Sequence, residues 1–201
     1  MKSLRSRPAS TFFATLIIAL AMAGCGAAQA RSLEGQSFDE TVKLQPAGPV
    51  LQLNGLGLRG VAWIKAYVAG LYVTAPCHDG NKLLADTGPK RLRLKVMLAV
   101  PADAFAKSLR DGVTKRETPQ SLARLQTGMQ ALDRSIIAAG DLKEGDVIDL
   151  DYDPARGVSF SLNGRLRAGH VDGADLYRAI LNIFIGDRPI DRRLKQGMLG
   201  A

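Results

Sequence analysis

Apolar positions along this chain recur at two different spacings, and the changes between them mark its elements. Between residues 50 and 100 the spacing is two, that of strands. Val50 to Leu53 reads as a short strand. Asn54 to Gly60 carries glycines at 55, 57 and 60, which predicts a turn or a bulge. Val61 to Val73 is rich in Val, Ile, Tyr and Trp and reads as one long strand or a hairpin pair. Gly70 within it marks a bulge or a close backbone approach. Arg91 to Val100 alternates basic with apolar through Val96. Leu92, Leu94 and Val96 face inward, and Arg91, Arg93 and Lys95 make a solvated strand face.

The spacing then lengthens. Pro101 opens a helix in which Phe105, Leu109 and Val113 recur every four residues. Thr118 and Pro119 supply an N-cap and a first-turn proline. Leu122, Leu125, Met129, Leu132 and Ile136 then form one helix face, closed by Gly140. Strands return with Ile148, Leu150 and Tyr152, and again with Val158, Phe160 and Leu162 before the Asn163-Gly164 hairpin signal. Asp172 and Asp175 read as a helix cap pair. Leu176, Tyr177, Ile180, Leu181 and Phe184 follow as a helix face ended by Gly186. Pro189 starts a last short helix carrying Leu194 and Met198. Strands, two helices, strands and two helices do not alternate regularly, so a doubly wound sheet is excluded. The order predicts an α+β fold, an antiparallel sheet with helices packed on one face.

The N-terminal residues follow neither spacing. Lys2, Arg5 and Arg7 precede an uncharged apolar run from Thr11 to Ala23, shorter than the ~20 residues of a spanning helix. Residues 1–30 therefore read as a secretory signal peptide. Met22-Ala23-Gly24-Cys25 resembles a bacterial lipobox, with Cys25 as the lipidated residue; Ala28-Gln29-Ala30 offers ordinary cleavage after Ala30. The lipobox is the favoured reading. Export to the periplasm is expected, and Gly26 after a modified Cys25 favours the outer membrane. Residues 31–45 read as a linker or lead-in strand, and 46–201 as the folded domain.

Composition narrows the chemistry. At 201 residues, 46% hydrophobic and 23% charged, the chain is an ordinary globular domain with an added segment. Its net charge of +8 is spread along the chain and aromatics are 5%, so nucleic acid is not expected as a partner. With two cysteines and two histidines, neither a disulfide framework nor a metal site is expected. Cys77-His78-Asp79 looks reactive, but Pro76 before it and Gly80 after it read as a loop. Asp149, Asp151 and Asp153 lie ~6.5 Å apart along one strand and lack the loop that wraps calcium. No G-x-S-x-G, P-loop, H-E-x-x-H or C-x-x-C motif is present, and no cofactor is expected.

Several phrases recur in a telling order. Leu53-Asn-Gly-Leu-Gly-Leu-Arg-Gly60 is followed by Lys65-Ala-Tyr-Val-Ala-Gly-Leu-Tyr-Val73. Later come Gly145-Asp-Val-Ile-Asp-Leu-Asp-Tyr152, Asn163-Gly164 and Tyr177-Arg-Ala-Ile-Leu-Asn-Ile-Phe-Ile-Gly-Asp-Arg-Pro-Ile190. Over residues 45–200 the chain resembles the bacterial chalcone isomerase-like family. The resemblance implies an open-faced β-sandwich with a ligand cleft between sheet and helices. Relatives include enzymes that close the flavanone ring and non-catalytic binders of fatty acids. Arg59 matches the arginine that holds an oxyanion in the enzymes, and it suits a carboxylate equally. The other enzyme positions depart from the pattern. Tyr67 stands where a threonine orders water, Phe105 where a tyrosine is expected, Asp111 or Gly112 in place of an asparagine, and Ile183 in place of a threonine. Tyr67 and Tyr72 remain possible donors to an anion, but their odd separation requires a bulge at Gly70 if both are to serve.

The resemblance thus implies a secreted, lipid-anchored, non-catalytic binder of a small apolar acid such as a fatty acid. Arg59, Tyr67, Tyr72, Phe105 and Ile183 are its expected ligand contacts. An isomerase of the chalcone type and an envelope structural or interaction protein are the alternatives. Oligomeric state is left open.

Overall fold

The structure, a computed structural model, describes residues 30–44, 48–171 and 173–200. The expected signal peptide, Cys25 and the capping role of Asp172 fall outside the described residues.

The chain begins as a hairpin of β1 (Ala30–Leu33) and β2 (Gln36–Asp39), then enters the main sheet at β3 (Thr41–Lys43). The stretch expected as linker or lead-in strand is therefore folded. β4 (Val50–Val61) and β5 (Ile64–Val73) form a long hairpin, and α1 (Gly80–Ala85) leads to β6 (Lys90–Val96). The helices α2 (Ala102–Thr114) and α3 (Pro119–Ala139) come next, then β7 (Val147–Asp153), β8 (Gly157–Leu162) and β9 (Arg165–Val171). α4 (Ala174–Ile185) and α5 (Arg192–Met198) close the chain. β3 to β9 form one antiparallel sheet in chain order. α2 and α3 pair with each other as an out-and-back excursion, so β7 still lies beside β6.

Local signals hold where they are self-contained. Thr118 accepts the Ser121 N–H at the start of α3, and Gly140 ends that helix at φ 86°. Asn163 and Gly164 turn at φ 52° and 72°, the backbone a tight hairpin requires.

The sheet has two unequal faces. Leu71, Leu92, Leu94, Ile148, Leu150 and Phe160 pack beneath α2, α3 and α4 in the main core. On the opposite face a smaller core of Phe38, Leu51, Leu53, Val68 and Tyr72 is covered by the β1–β2 hairpin. Gly70 serves this second core. A Cβ there would lie 2.8 Å from the Phe38 ring, so the glycine permits a close approach and makes no bulge.

Two expectations are corrected. Of the turn or bulge expected over Asn54 to Gly60, the bulge holds and the turn does not: the segment lies within β4, whose pairing with β5 shifts register between Leu53 and Gly55 and between Arg59 and Gly60. Its glycines let α5 lie backbone to backbone on the strand. A Cβ on Gly57 would stand 2.3 Å from the Leu194 carbonyl oxygen, and one on Gly55 2.2 Å from that of Gly197. Asn54 completes the joint by donating to the Met198 carbonyl and accepting the Cys77 N–H. His78 bonds the Leu199 carbonyl through Nδ1, so the Cys77-His78-Asp79 loop fastens the C-terminal helix and caps α1.

The second correction concerns the basic face of β6. Arg91 is only 7% exposed and Asp149 only 5%. The register sets Arg91 opposite Asp151 and Arg93 opposite Asp149. Each arginine grips its aspartate through Nε and Nη2 at 2.6–2.8 Å. The two charged rows that alternate along β6 and β7 are one buried ladder.

Candidate ligand-binding site

Arg59 sits at the second irregularity of β4, directly across from Tyr67 on β5, and both are partly buried. One guanidinium nitrogen, Nη1, donates to the Gly60 carbonyl and to Asp191 Oδ2, each at 3.2 Å. Asp191 holds this position because its other oxygen caps α5, accepting the N–H groups of Arg193 and Leu194. Nε and Nη2 of Arg59 make no hydrogen bond among the described residues. They keep the planar fork that suits a carboxylate.

Tyr67 turns its ring toward Phe184 of α4, with centroids 6.5 Å apart. Burial pushes its phenol well above the ordinary value; Arg59 pulls it back down and Asp191 pushes it up. The hydroxyl is therefore protonated at neutral pH, and among the described residues it has no hydrogen-bond partner. Arg59 and Tyr67 together present a fixed charge and a free O–H donor at the margin of the main core.

Ile183 is buried on α4 and fills the space over Gly112 of α2, where a Cβ would be 2.8 Å from its Cδ1. Phe105 is partly buried against the same core, two helical turns (~10 Å) along α2 from Gly112. Ile190 joins this core, and its N–H donates to the Ile183 carbonyl. Ile183, Phe184, Phe105 and Ile190 thus belong to the apolar interior on whose rim Arg59 and Tyr67 stand.

Tyr72 does not belong to this group. Between Tyr67 and Tyr72 β5 runs without a bulge, so the odd separation places Tyr72 on the opposite face. There it is fully buried under the β1–β2 hairpin, donates to the Asp39 carbonyl at 3.0 Å and lies beneath the Arg93 guanidinium. It is a structural tyrosine of the smaller core.

Asp191 is the residue beside Arg59 that periodicity passed over. Pro189 suggested where the last helix begins; an aspartate just before Arg192 is the stronger start signal, and it fixes Asp191 within reach of Arg59. Beside Arg59 the outer edge of β4 forms one wall of a groove of about 760 Å³. Leu33 and Glu34 line one side of it, and Arg192, Arg193 and Gln196 the other.

Residues 30–200 match a family model described as chalcone isomerase-like. Among solved structures, a fatty-acid binding protein of Arabidopsis thaliana is similar, with a TM-score of 0.63 and 22% sequence identity. The match covers 85% of this chain and 96% of that one, and it shows a shared fold. No curated protein sequence matches the chain.

Proposed function

The chain belongs to the chalcone isomerase-like family, and on that premise we propose that it is a non-catalytic binder of a small apolar acid, a fatty acid above all. The observation that carries this is the pairing of Arg59, two of whose nitrogens make no hydrogen bond among the described residues, with the protonated hydroxyl of Tyr67, which has no partner among them either. A carboxylate takes two parallel bonds from the guanidinium and one from the phenol. The acyl chain then enters the sheet–helix interface, where Phe184, Ile183 and Phe105 line it after rotating aside. Each buried methylene contributes ~0.8 kcal/mol. Phe105 and Ile183 carry no hydroxyl, which favours holding an acid over ordering water for catalysis. The solved relative titled a fatty-acid binding protein supports the same reading.

Titration with a fluorescent fatty acid tests this. Saturable binding is expected, weakened by ~1.5–3 kcal/mol in Arg59→Ala and by ~0.5–1.5 kcal/mol in Tyr67→Phe, the worth of a charged and a neutral hydrogen bond. Absence of binding by the folded wild type, or ring closure of a chalcone above the spontaneous rate, overturns it.

The reading includes export. The basic start, short apolar run and lipobox support a mature protein anchored by a lipid on Cys25 and facing the periplasm. Mass spectrometry of the membrane fraction is expected to find an N-terminal lipidated Cys25. An unmodified chain beginning at Arg31 would assign cleavage after Ala30 and remove the anchor.

A further inference from the structure

The hairpin joining β4 to β5 ends in a tip that no packing explains. Its turn is Ala62-Trp63, with Ala62 held at φ 52°. Asn-Gly is the usual chemistry for so tight a turn, as at Asn163-Gly164 in this same chain. Here an alanine accepts the left-handed backbone, and the chain's single tryptophan stands 87% exposed beside it. Val61 and Ile64, paired across the end of the hairpin, are 63% and 48% exposed. Leu98, whose N–H reaches the Ala66 carbonyl at the same end of the sheet, is 51% exposed. Among the described residues, four of the seven exposed large hydrophobics therefore gather at one end of the molecule. A local rule broken without local gain marks a functional position, and a gathered apolar patch marks a contact surface.

The surrounding charge says what that surface meets. Arg192 and Arg193 are exposed and share the groove beside Ala62. The nearby acids are already engaged: Glu34 with Lys65, and Asp191 with Arg59 and the start of α5. The tip is thus a tryptophan and aliphatic wedge flanked by outward cations. Tryptophan sits at the boundary of lipid headgroups and acyl chains, and arginines beside it meet anionic phosphates. Among the described residues no helix is long and apolar enough to cross a membrane.

We infer that the β4–β5 tip docks on an anionic phospholipid surface, inserting Trp63, Val61 and Ile64 at the headgroup boundary while Arg192 and Arg193 contact phosphates. Docking of the tip does not depend on a ligand in the cleft. It is also separate from any lipid on Cys25, since it engages the surface by side chains alone.

Trp63 is the chain's only tryptophan, so its fluorescence reports the tip and nothing else. The full chain is mixed with vesicles of phosphatidylglycerol and phosphatidylcholine, and separately with phosphatidylcholine alone. With the anionic vesicles the emission is expected to shift to the blue and acrylamide quenching to fall; both changes weaken as salt rises. Val61→Ser/Ile64→Ser keeps the probe and is expected to need about tenfold more lipid for the same shift. Arg192→Gln/Arg193→Gln is expected to abolish the preference for anionic lipid. These residues lie at the surface, and circular dichroism checks that each variant folds. An emission that stays unchanged at saturating anionic lipid overturns the inference. So does a blue shift that appears without lipid and grows with protein concentration, which would make the tip an interface between copies of the chain.

Discussion

At the scale of single residues, glycine and aspartate do the positioning here. Gly57 exists so that Leu194 can approach the strand backbone, and through α5 it places Asp191 against Arg59. Gly57→Ala is expected to destabilise the fold by ~1–3 kcal/mol in urea titrations, because the methyl meets backbone and not a side chain that can rotate. An unchanged midpoint would show that α5 yields freely. Asp191 competes with any carboxylate for Arg59. Asp191→Asn keeps a good helix cap and removes the competing charge, so fatty-acid affinity is expected to tighten by up to ~1 kcal/mol. Weaker binding in that variant would mean that Asp191 orients the arginine for the ligand. The sequence alone could separate Tyr67 from Tyr72 by parity, since five positions along an unbroken strand reverse the face. What it could not supply was which strand carries the bulge. Irregularity depends on the partner strand and on α5 pressing from 140 residues away, and neither leaves a mark at Gly70 itself.

At the scale of elements, long periodic segments were legible and short or charged ones were not. The helix faces around Leu109, Leu125 and Leu176 are buried as their spacing requires. β1 and β2 are four residues each with few apolar positions, and α1 is six, too little for a period to show. The cations of β6 read as a solvated face, and the aspartates of β7 show no partner, when each strand is taken alone. Only the antiparallel register turns them into the Arg91–Asp151 and Arg93–Asp149 pairs. Asp149 lies within reach of both arginines, at 2.7 Å from Arg93 and 3.6 Å from Arg91. Asp149→Ala leaves two buried guanidinium groups short of countercharge and is expected to cost ~3–5 kcal/mol. A loss below ~1 kcal/mol in thermal or urea unfolding would show that solvent reaches this ladder.

At the scale of the whole molecule, one face of the sheet is closed by a hairpin and stabilises, while the other is covered by helices and holds the Arg59–Tyr67 rim. The resemblance carried by a handful of phrases agreed with the element order, and the fold confirms both. Arg59, Tyr67, Phe105 and Ile183, named from the resemblance, lie along one interior in the structure, while the contact of Asp191 with Arg59 was illegible because it exists only once the chain has closed. The central claim is that this interior takes an acyl chain whose carboxylate Arg59 holds. Calorimetric titration of a series of saturated fatty acids of increasing length, against wild type and Arg59→Ala, tests head and tail at once. Affinity is expected to rise by ~0.8 kcal/mol per methylene in both proteins until the interior is filled. Arg59→Ala is expected to displace the whole series by a constant ~1.5–3 kcal/mol. An affinity that ignores chain length, or a series that Arg59→Ala leaves in place, would contradict the account.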